Sequence, residues 1–327
     1  MRPSISPVLR AMAVLLAPAV CCFGPPSAQA QPTPADAPAD PDPAAELVFE
    51  TGAGQPAIRF PRAEALRYKA YVGVAFLSTS VGNVTQTATV EEQRPLLLLG
   101  QTDSAGESAC VRLHASGGNF AYTVESTIES RILPQEWPRV LYTVKNEGTE
   151  KRRREILLGC RDGAFTSSYR KDTSKGAPEG TRIWREAKVR TVPEGTLDMA
   201  SAVFMARTLI RENREQISFP LLENDRVWLL TLRRGEQRNM ETRAGTFAVV
   251  EVVMEPVAYP GETFDDDPLE KFEGLFGIHG AMHLWAEAHS GIVVRIQGDL
   301  PVGPVTLAVD VVLDSYSGTC GDFKPVK

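Results

Sequence analysis

The chain has 327 residues, 43% of them hydrophobic, with 35 basic against 41 acidic side chains and a net charge of −6. That length can bury a sizeable core in one large domain or two small ones. The acidic balance disfavours non-specific attraction to nucleic acid and to anionic lipid surfaces.

Residues 1–30 have the three parts of a secretory signal peptide. Arg2 and Arg10 supply a positive start, Ala11 to Phe23 an apolar stretch, and Ala28-Gln29-Ala30 small residues at a cleavage site. The apolar stretch is shorter than the roughly 20 residues a spanning helix needs, and Pro18 interrupts it. Pro18-Ala19-Val20 is a poor lipoprotein box, so a lipid anchor at Cys21 or Cys22 is not expected. Cleavage leaves 33 basic against 41 acidic residues, a net −8, on a chain expected in the periplasm or outside the cell. Residues 31–46, rich in Pro, Ala and Asp, read as a disordered linker. Residues 47–327 read as a single β-rich domain.

From Glu64 the pattern has period two. Leu66, Tyr68, Ala70, Val72, Val74 and Phe76 alternate with Arg67, Lys69, Tyr71 and Gly73, which predicts a half-buried strand. Val84 to Val90, Ala109 to Ala115, Tyr122 to Ile132 and Val140 to Val144 alternate likewise. Asn146-Glu147-Gly148 makes a turn into Ile156 to Cys160. The spacing predicts antiparallel strands with one wet face each. The basic run Lys151-Arg152-Arg153-Arg154 reads as a solvated sheet edge that discourages aggregation.

Pro193-Glu194-Gly195-Thr196 breaks the β pattern. Met199, Ala202, Val203, Ala206 and Ile210 then recur at helical spacing, with Asp198 before them and Arg207 and Arg211 toward the end, which predicts a helix over about 197–212. Strands return after Pro220, at Val227 to Arg233, Thr246 to Glu255, Ala281 to Ala286, Ile292 to Gln297 and Val305 to Leu313. The near-continuous apolar run at Thr246 to Glu255 suggests a strand covered on both faces. His289-Ser290-Gly291 reads as a turn. The fold class expected is mostly β, with a large antiparallel, barrel-like or half-barrel sheet and one main helix.

The opening Phe60-Pro61-Arg62-Ala63-Glu64-Ala65-Leu66-Arg67-Tyr68 resembles that of the bacterial exported family catalogued as domain of unknown function 3108. Asp198-Met199-Ala200-Ser201-Ala202, running on to Arg207, resembles that family's Asp-x-x-Ser-Ala helix with its later Arg. Leu284-Trp285, Val293-Val294-Arg295-Ile296 and the segment 303–313 resemble its closing hairpin. On this resemblance Glu64, Tyr68, Asp198, Ser201, Arg207, Trp285 and Arg295 are the motif residues. An Asp that the resemblance implies shortly after the Trp is absent, with Glu287 and His289 nearby instead; if that Asp caps the hairpin turn, His289 or Ser290 must do so here. The resemblance implies an envelope protein with a barrel-like sheet and no known activity.

Chemical signals are sparse. His279, Ala281, His283, Trp285 and Glu287 share one face of a straight strand, and His279 and His283 would then stand about 13–14 Å apart, too far to share a metal. Asp265-Asp266-Asp267, with Glu262 and Glu270, lacks the ordered ligands of a calcium loop. Ser168-Tyr169-Arg170-Lys171 lacks the companion motifs of the penicillin-interacting enzymes. No cofactor or metal is implied. Cys110, Cys160 and Cys320 remain after cleavage. In an oxidising compartment a Cys110–Cys160 disulfide is the expected pair, with three separate thiols as the alternative.

Three functions fit these observations. The first is a non-catalytic binding or carrier domain for an apolar, lipid-like ligand or an envelope partner. The second is a hydrolase using His283, Glu287 and His289 as acid–base groups. The third is a scaffold in an envelope complex that makes contacts through Lys151 to Arg154.

Overall fold

The computed structural model describes residues 46–326, apart from 53, 75–76, 94–96, 99–100, 103–105, 119–122, 134–138, 149–151, 162, 173–182, 264–271, 303–304, 319–322 and 324. The expected signal peptide and all but the last residue of the expected linker lie outside this range, as do Lys151, Asp265 to Asp267, Glu270 and Cys320. A short hairpin, β1 (Glu46–Phe49) and β2 (Ile58–Pro61), comes first. Then follow β3 (Ala63–Val74), β4 (Leu77–Gln93), the minor pair β5 (Leu97–Leu98) and β6 (Gln101–Thr102), β7 (Gly106–Gly118), β8 (Thr123–Leu133), β9 (Arg139–Asn146), β10 (Arg152–Arg161), β11 (Ala164–Lys171) and β12 (Lys188–Thr191). The helix α1 (Met199–Arg211) leads to β13 (Gln216–Glu223), β14 (Arg226–Thr242), β15 (Gly245–Ala258), β16 (His279–Glu287), β17 (Val293–Val302) and β18 (Val305–Gly318).

Among the described residues, fourteen strands form one antiparallel sheet in the order β12-β11-β10-β9-β8-β7-β4-β3-β18-β17-β16-β15-β14-β13. The expected alternation sets its two faces. Leu66 and Tyr68 of β3, Val111 and Leu113 of β7, Ile156 and Leu158 of β10 and Val309 and Val311 of β18 all turn to one buried side. The other side carries cross-strand ion pairs such as Arg112–Glu129.

The two edges, β12 and β13, are neighbours in sequence, joined only through α1. That connection is short, so the sheet must curl until its edges approach, as its natural twist favours. The edges do not pair as strands, and the barrel stays open. Side chains bridge the seam instead. Lys188 on β12 pairs with Asp225 in the β13–β14 turn, and Arg190 donates to the Asp225 carbonyl at 2.9 Å and pairs with Glu262. Just past β12, Leu197 makes a single parallel bridge to β13, its N–H donating to the Pro220 carbonyl at 2.9 Å while its own carbonyl accepts from Leu222 at 2.8 Å.

The helix lies in the resulting concavity. Met199 through Ile210 are all buried, the pattern of a helix covered on every side rather than an amphipathic surface helix. Asp198 is its N-cap, accepting from the Ser201 N–H at 3.0 Å and the Ser201 hydroxyl at 2.8 Å. The same carboxylate accepts from Ser130 on β8 at 2.9 Å, so the cap also fixes the helix to the sheet. Burial pushes the Asp198 carboxyl above its ordinary range, against the hydrogen bonds from Ser201 and Ser130 that hold it down. Near the other end, Arg207 forms a bidentate pair with Glu64 of β3 at 2.8 and 2.6 Å, both side chains almost fully buried. The β1–β2 hairpin covers this end, with Phe60 between Phe49, edge-on at 5.1 Å, and Phe204, tilted at 4.7 Å between ring centres.

Three expectations are corrected. The apolar run on β15 is covered on both faces only at its start: Phe247 and Val249 on one face and Val250 on the other are all fully buried, whereas further on Val252 and Met254 are buried while Glu251, Val253 and Glu255 are half-buried and Val257 is exposed. Over that second half the antiparallel ladder on either side satisfies the backbone without a second covering layer. The basic run is not an edge either: Arg152 to Arg154 open β10, which pairs with β9 on one side and β11 on the other, and β12 is the edge. Cys110 and Cys160 are free thiols. Strands β8 and β9 separate them, about 14 Å at ordinary strand spacing against a disulfide limit near 7 Å, and by alternation they face opposite sides of the sheet.

Removing one member of a buried ion pair strands the other charge out of water. Glu64→Ala is therefore expected to lower unfolding free energy by about 3–5 kcal/mol, measured by chemical denaturation. The double replacement Glu64→Leu with Arg207→Met should recover most of that loss. A Glu64→Ala effect under about 1 kcal/mol would show that the pair behaves like a surface one.

Candidate functional site: an apolar cavity with a charged mouth

The end of the concavity away from the β1–β2 hairpin is open, and it holds a cavity of about 640 Å³. Its walls come from the inward positions of the sheet, among them Ala70, Val84, Leu113, Ile128 and Val309, and Met199 at the start of α1 contributes to it. Size and apolar lining both fall within the range of small-molecule sites. Tyr142 also lines it, and burial, with Asp198 close by, pushes that phenol upward, so it stays neutral.

Polar groups gather where β10 meets the β13–β14 hairpin. Arg154 Nη1 donates to Asn224 Oδ1 at 2.5 Å and lies 3.3 Å from Glu273 and 3.8 Å from Glu223. The turn at Asn224 has φ 55°, a left-handed conformation that Asn tolerates, and it points Glu223 and Asn224 at the mouth. Burial pushes the Glu223 carboxyl up to about 8, with Arg154 opposing the shift and Glu273 adding to it.

The expected acid–base residues are not gathered. His283 Nδ1 lies 2.7 Å from Glu251 on the outer face, away from the cavity. Glu287 is a turn residue: its carboxylate accepts from the Ser290 N–H at 2.7 Å and the Ser290 hydroxyl at 2.6 Å, so Glu287 and Ser290 together cap the closing hairpin where an Asp was missed in the sequence. His289 is exposed in the same turn. Gly291, at φ 70°, ends that turn against α1: a Cβ there would sit 2.7 Å from Arg207 Cα, so only glycine allows the contact.

His279 lines the cavity and His283 does not; the pairing of β16 with β17 is irregular between them, with Gly280 at φ 67°. Trp285 stays outside, its Nε1 donating to Gln297 at 3.1 Å under the Arg238 guanidinium, 3.6 Å from the ring centre. Arg295 beside it holds Asp310 through two bonds of 2.6 Å. The Tyr68 hydroxyl donates to the Val293 carbonyl at 2.9 Å. The motif residues thus hold helix, turn and sheet together, and none of the seven lines the cavity. The sequence hides the cavity because its lining is scattered over ten strands; the one local signal is Arg152 and Arg154 at the inward parity of Ile156.

The pH dependence of folding follows from Glu223. Its folded pKa is raised, so between the ordinary carboxyl value of 4.5 and about 8 the folded state binds more proton than the unfolded chain. Its stabilising contribution is complete below that window and is lost as pH rises through it. The unfolding free energy of the native protein, minus that of Glu223→Gln, should fall by on the order of a few kcal/mol from about pH 5 to about pH 8. A flat difference by urea denaturation would mean that Glu223 titrates as an ordinary carboxyl.

A family model described as "Protein of unknown function (DUF3108)" matches residues 67–310. No curated protein matches the chain. Among solved structures, one described as "a putative lipoprotein" from Parabacteroides distasonis ATCC 8503 is similar at 12% identity, covering 79% of this chain and 97% of that one with a TM-score of 0.28. A superposition that loose carries no argument about fold or function. The family match spans well over half of the sequence, in line with the resemblance at Glu64 to Tyr68, Asp198 to Arg207 and Trp285 to Arg295. The chain belongs to the family described as Protein of unknown function (DUF3108).

Proposed function

We propose that this protein is an exported, non-catalytic carrier of the cell envelope that takes an apolar, lipid-like ligand into the cavity between the sheet and α1. The observation that carries this reading is the cavity itself: about 640 Å³, with Ala70, Val84, Leu113, Ile128, Val309 and Val311 among its walls. Each methylene moved from water into such a space contributes about 0.8 kcal/mol. Export rests on residues 1–30, and the linker at 31–46 would let the domain stand clear of the membrane during processing. Among the described residues no helix is long and apolar enough to cross a membrane.

Ala115 lines the cavity, so a larger side chain there fills it. A neutral fluorescent acyl probe, cis-parinaric acid methyl ester, is expected to bind the delipidated protein saturably. Ala115→Trp should weaken that binding about tenfold or more, with a melting temperature close to native. Absence of saturable binding, or equal binding by a folded Ala115→Trp variant, would refute the carrier reading. Mass spectrometry of protein secreted by its own host should give a mature chain beginning at Gln31. A retained Met1 would refute export by cleavage.

A further inference from the structure

We propose that the ligand of this cavity is an amphiphile with an anionic headgroup, a carboxylate or a phosphate, held by the Nε/Nη2 edge of Arg154 at the mouth while its chain lies along the aliphatic walls. This rests on the carrier reading and specifies its ligand class.

Strand β10 carries the argument. Its inward positions run Arg152, Arg154, Ile156, Leu158, from the mouth into the core. Two cations followed by two buried aliphatics make a polar-to-apolar gradient along one strand, the complement of a charged head on an apolar tail. The side chain of Arg154 is only 26% exposed, and its contacts among the described residues all run through Nη1, to Asn224, Glu273 and Glu223. Its buried Nε has no hydrogen-bond partner among those residues. An orphaned buried donor calls for an explanation such as an absent ligand.

At two other arginines of this protein the same edge is filled by a carboxylate. Arg295 grips Asp310 with Nε and Nη2, each at 2.6 Å, and Arg112 grips Glu129 with the same two atoms at 2.9 and 2.6 Å. That fork is the geometry that binds carboxylate or phosphate with two parallel bonds. On Arg154 it stands at the lip of an apolar cavity.

The surrounding charges leave room for an anion. Glu223, raised by burial, is uncharged at neutral pH, and Asp225 is engaged by Lys188. Tyr142 and Tyr169 are neutral phenols, both pushed upward by burial. Among the described residues, Glu273 opposes Arg154 from a half-exposed position, and Glu125, the other carboxylate of the lining, lies 3.2 Å from His114 Nε2. A cationic headgroup at this spot would meet the guanidinium charge.

The test compares cis-parinaric acid with its methyl ester on the full mature protein at about pH 7. The acid is expected to bind at least tenfold tighter, and Arg154→Met should bring it to the affinity of the ester while leaving the ester unchanged. A long-chain alkyl phosphate that displaces the probe from the native protein assigns phosphate as well as carboxylate. Displacement by inorganic phosphate alone would place the selectivity in a free-anion site and overturn the amphiphile. Equal binding of acid and ester overturns the headgroup inference and leaves the carrier reading standing; binding of neither overturns both. Should Arg154→Met fail to fold, the decision passes to the native protein and Glu223→Gln. Ionisation of Glu223 supplies a competing anion, so native affinity for the acid should fall several-fold from about pH 7 to about pH 9, and Glu223→Gln should abolish that fall. A native affinity that stays constant overturns the inference.

Discussion

The buried pair between Glu64 and Arg207 ties the one helix to the first long strand of the sheet, and the fold is arranged around that tie. Both side chains are nearly sealed from water, so neither charge can exist there without the other. The pair joins positions 143 residues apart and fixes the depth of α1 within the concavity. Three further contacts agree with it: Asp198 capping the helix and accepting from Ser130, Gly291 seated on the helix backbone at Arg207, and Phe204 packed on Phe60. Each limits the helix in a different direction. What remains uncovered is the far end of the concavity, which is the cavity.

Curling without closure has a consequence for the seam. A barrel closed by strand pairing satisfies its edges with backbone hydrogen bonds. Here β12 and β13 meet through Lys188, Arg190, Asp225 and Glu262 and one backbone bridge at Leu197. Side-chain ion pairs tolerate small separations that a backbone ladder does not. The seam lies beside the mouth where Arg154, Glu223 and Glu273 gather, so the opening of the cavity and the least rigidly closed part of the sheet share one location.

The hydrolase reading and the carrier reading part on geometry. His283, Glu287 and His289 are close in sequence and are used separately: one pairs on the outer face, one caps a turn and one is exposed. The apolar residues scattered from Ala70 to Val311 converge instead on one space. Convergence of distant residues on a common volume is the stronger sign of a site than closeness along the chain.

The sequence by itself determined the local elements. Period two marked β3 and β7, and the spacing of Met199, Val203, Ala206 and Ile210 behind Asp198 marked α1, because each pattern is imposed by the pitch of its own backbone and needs no distant partner. The motif residues at Glu64, Asp198, Arg207 and Trp285 were visible as a family pattern, but not what they touch. Tertiary structure alone decided the rest. It put the basic run inside the sheet rather than at its edge, because β10 is paired on both sides, by β9 and by β11, which leaves β12 as the edge. It set Cys110 and Cys160 on opposite faces with two strands between them, since strand parity becomes a direction in space only once the sheet exists. It placed His279 in the cavity lining and left His283 outside it, across an irregularity in the pairing with β17 that no local pattern announces. The cavity is a property of the curled sheet and the depth of its helix, and no segment of the chain holds that information alone.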